Sequence, residues 1–407
     1  MSGQKRIIPK WEGLVVPQKK GSIASLEEKA YKTFKEKLIP SSKVEEFKYL
    51  NLSSLANLNL RFLESKSSKP SSLPLKGDIY FFNNSWHLLN SKEGLEARIL
   101  KKDSVPSFFF SEKALNHTFL ALNTVVSSEV LELAVKKASK PLTLNVVYYF
   151  ENLLEILTAP RIYLRLEKGA KLDFAQYFLF SSCANCFVNS VEEISLEQEA
   201  VLNYLQYFHP IEGSNFLFSH ILSKGNSAST LNYYSVNLGG SIVRPEINVE
   251  LKEEKANANI NCVVVTGGRE VVDTNVLMEH QAENCKSKQL VKNILFDESK
   301  AIFSGTIVVQ REAQRTDAVQ NSDSLLLSDS AESVSRPQLK IWADDVRCTH
   351  GSTSGQFNEE ALFYLRSRGV PLKEAKKMLI ESFIAQALPK ELPQFIEENL
   401  NLKLSRI

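Results

Sequence analysis

Cys348 and His350 stand two positions apart in the run Pro337–Gly351. Side chains at i and i+2 of a strand share a face, so the thiol and the imidazole would point the same way. Together they form a soft ligand pair suited to iron or zinc. Two ligands leave a metal site unfinished, because such sites take three or four. Either the pair is structural, with Cys348 a small buried hydrophobe and His350 a strand-end residue, or the missing ligands come from elsewhere, another chain included. The flanking pattern changes register. Leu339, Ile341 and Ala343 are apolar at odd positions, Val346 and Cys348 at even ones. A one-residue shift flips the faces of a strand, which predicts a bulge or kink at Asp344–Asp345, a device that often re-aims side chains near functional sites.

The other candidate residues make weaker constellations. Cys183 and Cys186 form a CxxC pair, but a zinc ribbon or cluster site needs a second such pair, and Cys262 and Cys285 stand alone. The flanks of the pair look β on both sides, against a thioredoxin-like site. His87, His117, His209, His220 and His280 show no ligand spacing. No phosphate-cradling glycine loop and no nucleophile elbow is present; Gly239–Gly240 and Gly267–Gly268 read as turns. Gln314, Thr316 and Asp317 read as a polar ladder along a coil.

The elements that must position Cys348 and His350 follow from the periodicity. From about Leu142 to Val346 short β-rich runs succeed one another: Asn145–Phe150, Arg161–Leu166, Lys171–Phe180, Val201–Phe208, Ile247–Leu251, Ile260–Val265 and Ile302–Val309. Turn-like clusters between them end in Ala170, Ala200, Ala228 and Ala256, spaced by 30, 28 and 28 residues. A period in this range is the mark of a solenoid, and several strands per period without a helix fit the coils of a β-helix better than an irregular sandwich. Upstream, Ser25 with Glu28 reads as a capping box, followed by Ala30, Phe34 and Leu38 at helical spacing. Val44–Leu58 reads as more helix, Ala114–Asn123 as one short helix, and Ser65–Leu75 as a linker after a loosely ordered start. Downstream, Asn358 is a good N-cap and Gly369 a helix stop. Pro371 opens a second helix at its first turn, and 393–404 makes a third. Leu372, Ala375, Leu379 and Phe383, with Ile380, Ile384 and Ala387 alongside, form a wide apolar stripe that should dock on the β body or on a partner.

Composition narrows the class. The chain has 407 residues with 43% apolar and 24% charged content and a net charge of +2, ordinary for a globular protein and too balanced for a nucleic-acid or membrane surface. No apolar run is long enough for a transmembrane helix, and the N-terminus lacks the apolar core of a secretory signal. Five cysteines, an odd number, form no disulfide framework. These features predict a cytoplasmic, reducing setting.

Several segments resemble the SufD branch of the SufB/SufD family of iron–sulfur cluster assembly scaffolds. They are Ala313–Ala318, Asn321–Ser328, Pro337–Gly351 and Phe363–Gly369, with Lys43–Tyr49 upstream, where Phe47 stands at a position commonly tryptophan. Strong similarity covers about the last third of the chain, and Ala343–Gly351 is similar to SufD rather than SufB. The resemblance implies a mainly β fold: an N-terminal helical part over 1–78, a right-handed parallel β-helix over 79–355 and a C-terminal helical domain over 356–407. It implies a non-catalytic scaffold working with SufB and with SufC, an ABC-type ATPase, so that this chain binds no ATP. It places SufC docking on the C-terminal helices, with Phe363, Tyr364, Leu365, Arg366, Arg368, Gly369, Leu379 and Phe383 as contacts. The β-helix end near Cys348 and His350 would pair with SufB, or with a second copy in isolation. There His350, and more weakly Cys348, would ligate iron of a transient iron–sulfur cluster shared with the partner. Asp344 or Asp345 would fix the other imidazole nitrogen.

Two rival readings remain on the residues alone. A carbohydrate-active β-helix enzyme would use Asp344 and Asp345 as acid and base, although adjacent strand residues face opposite sides. A cysteine hydrolase would use Cys348 and His350, although i, i+2 strand positions lie roughly 6–7 Å apart at the backbone, loose for a nucleophile–base hydrogen bond.

Overall fold

The structure, a computed structural model, describes residues 6–11, 13, 16, 23–63, 73–106, 115–210 and 213–407. Most of the expected linker over Ser65–Leu75, most of the loosely ordered start and the first residue of the expected helix Ala114–Asn123 lie outside the described residues.

The body is a parallel β-solenoid of about seven turns. Its first sheet runs β6 (Leu95–Lys101), β7 (Glu129–Val135), β10 (Arg161–Leu166), β12 (Phe187–Leu196), β14 (Phe216–Gly225), β16 (Ile242–Leu251), β18 (Val271–His280), β20 (Lys300–Val309) and β22 (Glu332–Ile341). Two short strands, β3 (Arg61–Phe62) and β9 (Ile156–Thr158), join its side. The second sheet runs β5 (Ser85–Leu88), β4 (Ile79–Phe82), β8 (Leu142–Glu151), β11 (Lys171–Ser181), β13 (Val201–Phe208), β15 (Thr230–Asn237), β17 (Asn257–Thr266), β19 (Lys286–Leu295), β21 (Thr316–Leu326) and β23 (Val346–Gly355). Two-residue strands β1 (Arg6–Ile7) and β2 (Ile39–Pro40) pair separately. Parallel strands need a crossover, and here each crossover in one sheet is a strand of the other. That alternation sets the period of about 30 residues. At one corner of each coil a small or short residue recurs: Ala170, Ala200, Ser229, Ala256, Cys285, Thr316 and Val346 precede or begin successive strands of the second sheet. Ser229 takes the place that the spacing gave to Ala228, which instead adopts a left-handed φ of 54° in the turn.

The inner faces of the two sheets enclose one apolar cluster that includes Leu164, Phe174, Phe178, Ile221 and Ile260. The N-terminal end of this stack is closed by the chain itself, because β5 and β6 pair antiparallel onto β4 and β7 and bring Trp86 and Phe81 into the core. Helices α1 (Ala24–Lys37), α2 (Ser53–Ala56) and α3 (Thr118–Val126) cover the outer face of the first sheet, where Phe34, Phe47 and Phe119 pack with Phe187 and Phe218. The C-terminal helices α4 (Glu359–Ser367), α5 (Leu372–Ala385) and α6 (Gln394–Leu404) lie at the other side. Ile380, Ile384, Ile396, Leu400 and Leu404 pack there against Tyr177, Tyr207, Val263 and Ile294 of the second sheet. Each such aliphatic burial contributes about 1.5–3 kcal/mol, so the apolar stripe of α5 finds its first partner in the solenoid.

Several local expectations change. Ser25 does not cap α1; Ile23 occupies the N-cap position, and Glu27, buried against the Lys102 ammonium, takes the acidic role in the first turn. Val44–Leu58 is not a helix but a 3-10 turn over Glu45–Phe47 and the four-residue α2. Its glutamates are drawn instead onto Arg244, His117 and Arg336 of distant elements, and these tertiary ion pairs override helix propensity. Pro371 sits at the N-cap of α5 rather than inside its first turn. The register break at Asp344–Asp345 is not a bulge within one strand: Trp342–Asp345 is the corner at which the chain leaves β22 and enters β23 in the opposite sheet.

Candidate functional site

Cys348 and His350 lie on β23, the last strand of the second sheet. Register places them on the inner face. One column of that sheet runs Leu172, Leu202, Leu231, Ala258, Ser287, Ala318, Cys348, and the next runs Phe174, Tyr204, Tyr233, Ile260, Gln289, Gln320, His350. Every member before the last is buried. Both columns turn from large apolar residues to small or polar ones as they near the end. The interior of the solenoid therefore opens as a polar mouth rather than closing on an apolar plug.

No strand or helix among the described residues continues the stack beyond this end. Among the described residues β22 and β23 each have a neighbour on one side only, and none of their residues is buried. Each strand of 10 residues presents about 33 Å of edge with unpaired backbone donors and acceptors. Such edges are templates for pairing with another chain. Ile341 and Trp342 at the adjoining corner are 37% and 55% exposed. The corner itself is held rigidly. Gln314 accepts the Asp345 N–H through Oε1 at 2.9 Å and donates to the Arg311 carbonyl at 2.8 Å, while the Arg315 N–H donates to the Asp345 carbonyl at 2.6 Å. Gln314 thus serves the coil structure, as a polar ladder would. Asp344 and Asp345 are exposed on this corner. Five strand positions separate Asp345 from His350, about 16 Å, and among the described residues no hydrogen bond joins either aspartate to the imidazole.

The residue beneath His350 is Gln320, its register partner on β21. Gln320 is fully buried; its Nε2 donates to the Gly305 carbonyl at 3.2 Å, and its Oε1 has no hydrogen-bond partner. A Cβ at Gly305 would stand 2.5 Å from that Nε2, so only glycine lets the amide cross the lumen. Sequence reasoning missed Gln320 because its relation to His350, one coil away, appears only with the register. Cys348 is half-buried, and burial, reinforced by the Asp317 carboxylate, pushes its thiol pKa up. It is held as the thiol at neutral pH, the opposite of an activated nucleophile.

The predicted docking residues divide into two groups. On α4 the Asn358 side chain accepts the Ala361 N–H at 2.9 Å, and Gly369 stops the helix at φ +87°. Phe363 and Tyr364 are 74% and 58% exposed, with the Arg368 guanidinium 5.3 Å from the Tyr364 ring centre. Arg366, Arg368 and Gly369 are exposed and Leu365 is half-buried. Leu379 and Phe383 are half-buried, and Phe383 packs against the chain's own solenoid, where Lys292 Nζ sits 4.5 Å from its ring centre. Of the histidines without ligand spacing, His117 and His220 meet on the outer face of the first sheet.

Residues 151–383 match the family described as SUF system FeS cluster assembly, SufBD core domain. The chain belongs to the SufBD family. The matched span runs from the last residue of β8 into α5 and so contains most of the solenoid and its open end. The iron–sulfur cluster assembly protein SufD of Escherichia coli is 32% identical over 272 residues, 66% of this chain and 64% of that protein. A SufBD family protein of Synechocystis is 29% identical, covering 57% of this chain and 53% of its own. One of Staphylococcus saprophyticus is 25% identical, covering 71% and 62%. The chain thus matches less than two thirds of the length of each of these relatives. Among the described residues no helix is long and apolar enough to cross a membrane.

Proposed function

We propose that the chain is a non-catalytic scaffold subunit of SUF-type iron–sulfur cluster assembly, that its open solenoid end pairs with SufB, and that a nascent cluster forms at this seam with His350 as an iron ligand. One observation carries the reading: the final coil presents an imidazole and a thiol on its inner face, on the edge strand β23 beside the other unpaired edge β22, with no further coil among the described residues to complete their surroundings. A neighbour that abuts the end supplies both the missing backbone partners and the missing ligands. His350 coordinates as the neutral imidazole, with Gln320 Oε1 as the acceptor that orients the ring. Cys348 joins only where a metal displaces its proton. SufC docks on the exposed ridge Phe363–Tyr364 of α4, with Arg366 and Arg368 at its rim, while Leu379 and Phe383 anchor the helices that carry this ridge. ATP-driven closure of two SufC subunits shifts these helices and opens the seam. Without SufB, the same edges pair two copies of this chain.

The test is co-purification with SufB and SufC, wild type against His350→Ala, followed by anaerobic reconstitution with iron and sulfide. Intact assembly with cluster content reduced several-fold supports the assignment. Full cluster loading in the variant rules out His350 as a required ligand.

A further inference from the structure

Four residues far apart in sequence converge on the outer face of the first sheet. His220 on β14 and Glu246 on β16 are register partners. His117 stands immediately before α3, and Glu46 lies in the 3-10 turn Glu45–Phe47. His117 Nε2 is 3.6 Å from Glu246 Oε2 and 3.3 Å from Glu46 Oε1, and His220 Nδ1 is 3.5 Å from the same Glu246 oxygen. One ligand atom from each of His117, His220 and Glu246 lies within 4.8 Å of the other two. Tetrahedral ligands at metal bonds of about 2.1 Å stand roughly 3.4 Å apart, so the carboxylate–imidazole separations already match.

A second observation points to a ligand. His220 is fully buried, its Nδ1 faces the Glu246 carboxylate at 3.5 Å, and its Nε2 has no hydrogen-bond partner. A buried polar nitrogen without a partner costs roughly 1–3 kcal/mol; a cation that took the Nδ1 lone pair in place of the long carboxylate contact would leave Nε2–H as the protonated nitrogen and fix the tautomer. The charges agree. Glu46, Glu246 and Asp273 surround one permanent cation, Arg244, whose guanidinium contacts all three. The three carboxylates exceed the guanidinium by two negative charges, the complement of a divalent ion. A cleft of about 500 Å³ reaches His117, Glu46 and Glu246 from solvent, giving an entry path and room for a water as a further ligand.

We propose that His117, His220 and Glu246, with Glu46 at the rim, form a binding site for a divalent first-row transition ion. Two imidazoles and carboxylate oxygens without a thiolate suit Fe²⁺ or Zn²⁺ over Mg²⁺ or Ca²⁺. The site lies on the opposite sheet from His350 and stands independently of the function proposed above. Because its ligands come from the N-terminal segment, the start of α3 and two coils, a bound ion fastens the N-terminal region to the solenoid.

The experiment uses the full chain carrying Cys348→Ser and His350→Ala, so that the open end contributes nothing. Chelator-treated protein is titrated anaerobically with Fe²⁺ and separately with Zn²⁺, with Mg²⁺ as control, reading stoichiometry and thermal midpoint. The proposal expects one ion per chain, a raised midpoint, and no response to Mg²⁺. His220→Ala and His117→Ala should each weaken binding about 100-fold or more, beyond the roughly 10–100-fold typical of losing an outer hydrogen-bond partner of a ligand. His117 is only half-buried and lies outside the solenoid, so its variant decides the matter if His220→Ala does not fold. Absence of stoichiometric Fe²⁺ or Zn²⁺ binding, or binding that His117→Ala leaves unchanged, overturns the site and leaves an ion-pair network alone.

Discussion

Glu192→Gln should stabilise the protein in alkaline buffer and destabilise it slightly, by about 1 kcal/mol, in acid. Glu192 sits on the inner face of β12, 1% exposed, with the Tyr204 hydroxyl donating to Oε2 at 2.5 Å. Burial raises its pKa from 4.5 to about 7, against smaller opposing contributions from Tyr204, Gln176 and Tyr148. A folded pKa above the unfolded value means that the contribution of the protonated form is fully present below about pH 4.5 and is lost as pH rises through about 7. The shift corresponds to about 3 kcal/mol at 1.36 kcal/mol per unit. Glutamine keeps the shape and removes the titration, but its new amide protons need acceptors in the lumen, a cost of about 1 kcal/mol. The net gain at pH 8 is therefore about 2 kcal/mol, or a midpoint rise of roughly 2–3 °C for a chain of this size. Thermal unfolding of wild type and variant between pH 5 and pH 8.5 measures it. Parallel curves across that range would refute the reasoning, since the wild type alone should lose stability as the carboxyl ionises.

Three further predictions rest on placement. Phe363→Glu with Tyr364→Glu should weaken SufC binding at least tenfold in calorimetry while moving the midpoint by under about 1 °C, because both rings are largely exposed. Gln320→Leu should leave the fold intact yet change the ¹⁵N shifts of the His350 ring, reporting a lost acceptor and a changed tautomer balance; unchanged shifts would remove Gln320 from its positioning role. Arg244→Met should cost about 3–5 kcal/mol by stranding Glu46, Glu246 and Asp273, and should speed proteolytic release of the N-terminal segment.

The solenoid was legible because its turns repeat: small residues such as Ala170, Ala200 and Ala256 mark one corner, and strands such as Arg161–Leu166 and Val201–Phe208 carry plain β composition. Some strands that escaped the pattern carry polar residues that are buried and paired. In β12, Asn189 donates to the Phe119 carbonyl at 2.7 Å and Glu193 meets Arg161, so neither alternation nor hydrophobicity identifies the element. The same cause hid the N-terminal turn, whose Glu45 and Glu46 answer to Arg336 and Arg244 rather than to their own helix. Cys348 and His350 were visible from spacing alone, but their inward direction depends on which side of the Trp342–Asp345 corner they fall. His220 and Glu246 carry a signal that becomes readable once the period is known: they are 26 residues apart, one coil, and so must be neighbours. His117 offers no such clue, because a helix outside the repeat delivers it.

The reading of the open end rests on one coordination bond. It is tested most directly by growing this chain with ¹⁵N-labelled histidine, assembling it with unlabelled SufB and SufC, reconstituting and reducing the cluster, and recording electron–nuclear double resonance. A ¹⁵N hyperfine coupling in the wild type that vanishes in His350→Ala is the expected result. A cluster without nitrogen coupling, or one whose coupling survives that substitution, would contradict the assignment of His350 as ligand.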